Sequence, residues 1–393
     1  MVLVRSSRDI MPGDDGYINV PEGETMLTLE GHTHYVWCVI QLTDGRIVSG
    51  SDDRTIRIWD TISGSCMMTL RGHTSYIFCV TQLSDGRIVS GGADNTLRIW
   101  DTISGRCMIT IEGHTNSVYC IAKLTDDRIV SGSDDRKIKI WDTISGSCLM
   151  ILEGHTGRVF CVIQLTDDRI VSGGDDDTLK IWDTISGSCI MTLVGHTNDV
   201  NSVIQLTDGR IVSGSIDKTL KIWDTISGSC MMTLEGHTES VLSVIQLTDG
   251  HLVTGSHDNS LRIWDTISGS CLITLEGHTN SVLCVTKLTD GRIVSASADN
   301  TLRVWNIMSL SQQKWIRRRL LVLLFEASKI LSEPPKDFEK IHLKQNRRRQ
   351  DLELLLNFSF NVVSNYIIDL KTFKIIIKVL SMPEITMRIA EYL

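Results

Sequence analysis

Short apolar runs separated by polar turn residues recur along the chain from residue 25 to residue 306. The first complete unit contains four of them, VWCVIQL, RIVSGS, TIRIWD and CMMTL. Residues typical of turns divide these runs at Thr43–Gly45, Ser51–Asp53 and Ile62–Gly64. Proline is absent from residues 25–306, as strands in a hydrogen-bonded ladder require. The pattern therefore predicts four short strands in each unit.

The unit occurs seven times with a constant period of 41 residues. Each copy has a Gly-His pair near its start and a tryptophan near its end. Repeats of this length, built from four strands, are typical of the blades of a β-propeller.

The chain resembles the WD40-repeat family through the Gly-His dipeptide, the SGSxD turn and the terminal IWD of its units, although the last unit ends VWN. The resemblance covers residues 25–306. It implies an all-β fold, a seven-bladed WD40 β-propeller, whose partners most often bind at the mouth of the central channel. Residues 1–24 would then form an N-terminal extension and residues 307–393 a small, mostly α-helical C-terminal module.

The same resemblance implies a buried His–Ser–Asp–Trp tetrad in every blade, with threonine replacing serine in the sixth. The aspartate can orient the histidine, and the histidine can reach the serine and the indole N–H, so the tetrad joins strands within a blade. The seven sets are His32, Ser49, Asp53, Trp59; His73, Ser90, Asp94, Trp100; His114, Ser131, Asp135, Trp141; His155, Ser172, Asp176, Trp182; His196, Ser213, Asp217, Trp223; His237, Thr254, Asp258, Trp264; and His278, Ser295, Asp299, Trp305.

A Ser–His–Asp set is also the pattern of a hydrolytic triad. Seven identical sets without an oxyanion hole or a substrate cleft favour the structural interpretation. We therefore expect no catalytic residue and no enzymatic activity.

The N-terminal segment TMLTLEGH is in register with the fourth strand of the later units, whereas no such strand follows Trp305. We therefore expect residues 25–29 to supply the fourth strand of the last blade. This pairing closes the ring and hides two sheet edges.

Three positions vary between the copies and are expected to carry the specificity of the propeller. Two of them lie three and five residues after the tetrad histidine, on one side of the first strand. They hold every aromatic residue of residues 25–306 other than the tetrad tryptophans, all in blades one to four. The third precedes the tetrad aspartate and is acidic in three blades. The predicted partner-binding residues are Tyr35, Trp37, Tyr76, Phe78, Tyr119, Arg158, Phe160, Asp52, Asp134 and Asp175.

Aromatic and arginine side chains commonly anchor protein interfaces. A ring of large residues that merely plugs the channel would place aromatics in all seven blades, so the one-sided distribution favours a binding surface. Aromatic faces beside carboxylates also suit a cationic peptide. Solvated acidic turns are the alternative explanation for the carboxylates.

The net charge of −8 is unevenly distributed. Residues 307–393 carry 15 Lys/Arg and 9 Asp/Glu, which leaves 24 and 38 for residues 1–306. An acidic propeller argues against nucleic acid as a partner. The start of the chain lacks the apolar segment of a secretory signal, and the run LLVLLF is too short to span a bilayer. We therefore expect a cytoplasmic protein without membrane contact.

Eleven cysteines fall into two repeat registers without any CxxC pair. This placement predicts small buried apolar residues in a reducing compartment, with no metal and no cofactor.

The C-terminal module contains predicted helices and two basic triplets, Arg317–Arg319 and Arg347–Arg349. The triplets are interpreted as solvated helix faces, with nuclear import as the alternative. The end of the module, residues 382–393, is similar to the first helix of an F-box, although Met382 stands where that pattern has leucine. The matching residues are Pro383, Glu384, Ile385, Ile389 and Leu393. An ordinary amphipathic helix is the competing interpretation.

These features predict a non-catalytic scaffold or adaptor that holds a protein or peptide on one face of the propeller. The F-box resemblance implies an alternative, a substrate receptor of a cullin-type ubiquitin ligase whose tail binds a Skp-like component.

Overall fold

The computed structural model describes residues 25–307, which form 28 strands in seven four-stranded antiparallel sheets. Each sheet is one blade, and in blades one to six the strand order follows the chain order. The first strands of neighbouring blades pack side by side, so they surround the central channel and the fourth strands lie outermost. The all-β, seven-bladed propeller is therefore confirmed.

Strand bounds repeat closely from blade to blade. Blades one to three comprise β2 (Val36–Gln41), β3 (Ile47–Ser51), β4 (Thr55–Trp59), β5 (Cys66–Arg71); β6 (Ile77–Gln82), β7 (Ile88–Gly92), β8 (Leu97–Trp100), β9 (Cys107–Ile111); and β10 (Val118–Lys123), β11 (Ile129–Ser133), β12 (Ile138–Trp141), β13 (Cys148–Leu152).

Blades four to six comprise β14 (Val159–Gln164), β15 (Ile170–Gly174), β16 (Thr178–Trp182), β17 (Cys189–Val194); β18 (Val200–Gln205), β19 (Ile211–Ser215), β20 (Leu220–Trp223), β21 (Cys230–Leu234); and β22 (Val241–Gln246), β23 (Leu252–Ser256), β24 (Leu261–Trp264), β25 (Cys271–Leu275). Blade seven comprises β26 (Val282–Lys287), β27 (Ile293–Ser297), β28 (Leu302–Trp305) and β1 (Thr25–Leu29).

The turn after the third strand shows how the repeated sequence specifies local structure. In blade one, the Asp60 carboxylate accepts hydrogen bonds from the N–H groups of Ile62 and Ser63 at 3.1 and 2.6 Å. Gly64 then adopts a φ of 71°, a conformation that costs glycine little because it has no Cβ. The DTISG sequence therefore contains its own turn.

The hydrophobic core lies between adjacent blades. Val48 and Ile56 of blade one, for example, pack in one buried cluster with Ile77 and Trp100 of blade two. Polar contacts reinforce the same seams, since the N–H of Thr43 donates to the amide oxygen of Gln82 at 2.9 Å. Each blade therefore depends on its neighbours for burial of its apolar face.

The N-terminal strand closes the ring as expected. β1 pairs antiparallel with β28, and Leu29, which lies opposite Leu302, is fully buried. Arg303 also donates to the hydroxyl of Thr25 at 3.2 Å. The last blade is therefore held together by two segments from opposite ends of the repeat array.

The cysteine prediction holds for most of one register only. On the first strands Cys38, Cys79, Cys120 and Cys161 are buried, whereas Cys284 is half-buried. Burial raises the pKa of the Cys161 thiol to about 12. On the outermost strands, in contrast, four cysteines are exposed and two are half-buried, because no further strand covers that edge. These six residues are Cys66, Cys107, Cys148, Cys189, Cys230 and Cys271.

The extension 1–24, the module 308–393 and the F-box-like residues lie outside the described residues. Within residues 25–307 there is no helical segment of the length and hydrophobicity needed to cross a bilayer.

Deleting residues 1–30 should lower the melting temperature of the full chain by at least about 5 °C, since removing a buried leucine alone costs about 2–5 kcal/mol. The matched control is deletion of residues 1–24, which retains β1. Thermal unfolding followed by circular dichroism measures both. Equal melting temperatures for the two deletions would contradict a closing role for β1.

Candidate protein-interaction site

A four-membered hydrogen-bond chain holds each blade together. In blade one, Nδ1 of His32 lies 2.7 Å from the Asp53 carboxylate, and Nε2 lies 2.8 Å from the Ser49 hydroxyl. The indole N–H of Trp59 donates to the same hydroxyl at 2.8 Å. The expectation that histidine reaches the indole was therefore wrong, because the hydroxyl lies between the two rings.

The same chain of contacts recurs in all seven blades, with distances of 2.7–2.9 Å. The tryptophans are at most 1% exposed and the histidines at most 7%. Thr254 takes the place of serine in blade six with unchanged geometry. The seven tetrads are therefore complete, as the resemblance implied.

The donors and acceptors of a tetrad match when the histidine is neutral. An indole N–H can only donate, so the Ser49 hydroxyl accepts from Trp59 and gives its own hydrogen to Nε2 of His32. Nδ1–H of His32 then donates to Asp53. Burial lowers the pKa of His32, in agreement with the neutral form, although the hydrogen bond to Asp53 opposes the shift.

The tetrad carboxylates are held in the ionised form. Burial by itself would raise the pKa of the Asp135 carboxyl, but the hydrogen bonds from His114 and from the N–H groups of Thr115 and Lys137 together outweigh it, and the pKa falls to about 2. In blade one, hydrogen bonds from His32 and Thr55 likewise hold the pKa of Asp53 well below its usual range.

The tetrad hydroxyls are unsuited to nucleophilic attack. Ser49 has no exposed surface, and its oxygen already contacts both His32 and Trp59. These groups therefore act as fixed joints, and they bring the Gly-His segment against the turn between the second and third strands.

The variable positions lie at this joint. In blade one, the N–H of Asp52 donates to the carbonyl of Tyr35 at 3.0 Å, and in blade four Asp175 donates to Arg158 in the same way at 3.0 Å. The three variable residues of a blade therefore form one group at the mouth of the channel.

Four aromatic side chains, one from each of blades one to four, form a continuous series that we term the aromatic row. The ring centroids of neighbours lie 5.4, 4.9 and 5.2 Å apart, within the range of favourable aromatic contacts. The members are half-buried, in the order Trp37, Phe78, Tyr119 and Phe160.

Two tyrosines border this row in blades one and two. Tyr35 and Tyr76 are each 45% exposed, and they contact Trp37 and Phe78 with centroid distances of 6.4 and 6.5 Å. The structure therefore brings all six predicted aromatics together on one sector of the mouth.

The three predicted carboxylates are engaged within the protein. Asp52 accepts a hydrogen bond from the indole N–H of Trp37. Nε of Arg158 lies 2.8 Å from Asp175 and 3.7 Å from Asp134, while the guanidinium sits 5.6 Å from the ring centroid of Phe160. The sequence suggested that aromatic rings and carboxylates at the mouth bind a cationic ligand. In the structure, the guanidinium of Arg158 makes these contacts within the protein.

A cleft of about 380 Å³ lies beside Arg158, between blades three and four. Its lining is polar and includes Asn116, Arg136 and Gly157. Gly157 is two residues after the tetrad histidine, where the other blades have His, Ser, Asn or Glu. The absence of a side chain there leaves room for the Asp175 carboxylate, which lies only 1.5 Å from where a Cβ would be.

The sequence-based prediction did not include Gly157. The position two residues after the tetrad histidine is a fourth variable position, and a comparison of the repeats there would have identified this glycine. The prediction also left out Asp199, the counterpart of Tyr35 in blade five. The remaining sector of the mouth, in blades five to seven, combines polar and aliphatic residues at the variable positions, and Nδ1 of His257 contacts the hydroxyl of Ser281 at 3.1 Å. The site therefore has an aromatic half and a half without aromatic residues at these positions.

Replacing Thr254 with valine should lower the free energy of unfolding by about 2–4 kcal/mol, because Nε2 of His237 and the indole N–H of Trp264 both lose their partner. Thr254→Ser retains the hydroxyl and should cost about 1 kcal/mol or less. Chemical denaturation measures both variants. A loss after Thr254→Val no larger than the loss after Thr254→Ser would contradict a stabilising role of the hydroxyl.

The tetrads also predict an acid-sensitive ring. A carboxylate whose pKa is lower in the folded than in the unfolded state stabilises the fold above about pH 4, and this contribution is lost as the pH falls towards 2. The melting temperature should therefore decrease steeply between about pH 4 and pH 2. Asp135→Asn should make that decrease shallower, and an identical slope in both proteins would refute the assignment.

Comparisons with known proteins agree with this architecture. The crystal structure described as the WD40 beta propeller domain of Doa1 superposes with a TM-score of 0.67 at 25% identity, covering 73% of this chain and 98% of that one. The vegetative incompatibility protein HET-E-1 of Podospora anserina is 50% identical over 58 residues, which are 14% of this chain and only 4% of that protein's length.

The family profile described as "WD domain, G-beta repeat" matches the chain seven times. The matched residues are 23–60, 64–101, 105–142, 146–183, 187–224, 228–265 and 269–306. These matches cover more than half of the sequence, and each spans the outermost strand of one blade and the first three strands of the next. The chain therefore belongs to the WD40-repeat family.

Proposed function

We propose that this protein is a scaffold that holds a protein or peptide partner on the aromatic half of the channel mouth. The aromatic row is the observation that carries the proposal. Proteins of the WD40 family generally serve as non-catalytic interaction scaffolds, and this coarser role follows from the family and the fold.

The aromatic row has the properties of an interface anchor. Large rings supply much apolar contact area with few rotatable bonds, and partly exposed aromatic clusters often provide most of the binding energy of an interface. The tetrads hold the backbone that carries the aromatic row, so binding of a partner would not require this backbone to become ordered first. The equivalent positions of blades five to seven hold Asn201, Leu242 and Leu283.

The one-sided distribution of the rings favours recognition over channel filling. The seventh blade closes without an aromatic at the mouth, and Leu283 at that position is buried. A rigid ring is therefore attained without aromatic residues in three of its blades, which leaves the row available for a partner.

A second candidate function is that of a substrate receptor for a cullin-type ubiquitin ligase. The F-box-like residues Pro383, Glu384, Ile385, Ile389 and Leu393 support it by resemblance alone, because they lie outside the described residues. Binding of a purified Skp-like protein to the full chain, compared with a chain ending at Asn306, tests this prediction.

A display library of random dodecapeptides, selected on the full-length protein, tests the main proposal. Replacing Tyr35, Trp37 and Phe78 with alanine should lower the affinity for the selected peptides by about 100-fold or more, because several anchoring rings are lost together. The melting temperature should change little, since Tyr35 is exposed and Trp37 and Phe78 are only half-buried.

The matched control replaces Leu242 and Ser240, which occupy the corresponding positions of blade six, with alanine. We expect this variant to bind the selected peptides as the unmodified protein does. Full retention of binding by the triple alanine variant would place the interaction surface elsewhere.

A further inference from the structure

Asp199 occupies a variable position of the mouth in blade five, next to the end of the aromatic row. It lies three residues after the tetrad histidine His196, in the position that holds Arg158 in the preceding blade. Its carbonyl accepts the N–H of Ile216 at 2.9 Å, and its own N–H donates to the side-chain oxygen of Asn198 at 2.9 Å. The backbone that carries this carboxylate is therefore fixed on both sides.

The carboxylate itself differs from the other acids of the mouth. Asp52 has the Trp37 indole as a partner, and Asp134 and Asp175 share Arg158. Within residues 25–307, in contrast, the Asp199 carboxylate forms no ion pair and no hydrogen bond to another side chain. It is half-buried, so solvation is reduced but a ligand can still reach it.

The charges around Asp199 leave a local excess of negative potential. Burial raises the pKa of Asp199, and the neighbouring carboxylates of Asp175 and Asp177 raise it further. Arg158 opposes this effect but is already bound to Asp175 and Asp134. Lys218, the cation of the blade's own turn, instead donates to the carbonyl of Thr238 at 2.7 Å.

We propose that Asp199 binds a basic side chain of the partner, while apolar side chains of the same segment lie on the aromatic row. This inference rests on the proposed function and adds the chemistry of the partner, namely a peptide segment that presents a lysine or arginine beside apolar residues. The sequence predicted that a cationic ligand contacts Asp52, Asp134 and Asp175, whereas this inference assigns the contact to Asp199. Arg158 separates the two parts of the site by covering Phe160.

The opposite ligand, an acidic side chain in the cleft beside Arg158, is less well supported. The cleft is lined by Asp134, Asp175 and Asp176 as well as by Arg136 and Arg158. An incoming carboxylate would have to compete with two bound aspartates and would add to the negative potential near Asp199. A cation relieves that potential, and the negative charge of the propeller also steers cations towards it.

The dodecapeptides selected on the full-length protein provide the test. Among peptides that depend on the aromatic row, basic residues should be enriched relative to the unselected library. Asp199→Asn should lower the affinity for these peptides by about three- to tenfold and should reduce the salt dependence of their binding. The substitution is nearly isosteric, and thermal unfolding verifies that the ring is intact.

Asp208→Asn is the matched control, because it removes the same charge from the turn at the opposite end of blade five, where Arg210 pairs with Asp208 at 2.6 Å. Its binding and salt dependence should equal those of the unmodified protein. A general loss of net charge would affect both variants alike, whereas a specific contact affects Asp199→Asn alone.

The outcomes separate the two proposals. If selected peptides depend on the aromatic row but are neutral or acidic, or bind Asp199→Asn unchanged, the role of Asp199 is refuted and the proposed function stands. If no selected peptide depends on the aromatic row, the proposed function fails, and the inference about Asp199 fails with it.

Discussion

The architecture depends on one hydroxyl in each blade. The oxygen of Ser49, or its counterpart, joins a buried tryptophan to a buried histidine, and the histidine in turn holds an aspartate in the turn that faces the channel mouth. A buried hydrogen-bond chain is stabilising only when every member has a partner, and here every member has one. The Gly-His segment and the turn between the second and third strands are thereby tied to the core of the blade.

This joint allows the variable residues to differ without cost to the ring. The backbone around Tyr35 and Asp52 is held by the tetrad and by its own hydrogen bonds, so the side chains contribute little to folding and are free to serve recognition. The aromatic row forms because equivalent positions of neighbouring blades lie side by side. A short list of residue changes thus produces a continuous surface across four blades.

The charges of the mouth are arranged by contacts between blades. Arg158 of blade four reaches both Asp175 of its own blade and Asp134 of blade three, and this pairing leaves Asp199, among the acids at the three variable positions of residues 25–307, without an ion pair or a side-chain hydrogen bond. Removing solvent from an unpaired carboxylate is unfavourable unless a cation replaces it. The same geometry explains why three carboxylates have partners within the protein, and it supports the proposal that the fourth binds a cation of the partner.

The sequence by itself determined the propeller, the seven tetrads and the closing strand, because these features depend on a local pattern repeated seven times and on its register at the two ends. It also located the aromatic residues, since the repeats can be compared with one another. Only the tertiary structure decided which charges meet, how Gly157 opens a cleft, and which cysteines are buried. These properties depend on how residues distant in the sequence are placed in space and on which strand of a blade has no neighbour, and the repeat period alone does not specify them.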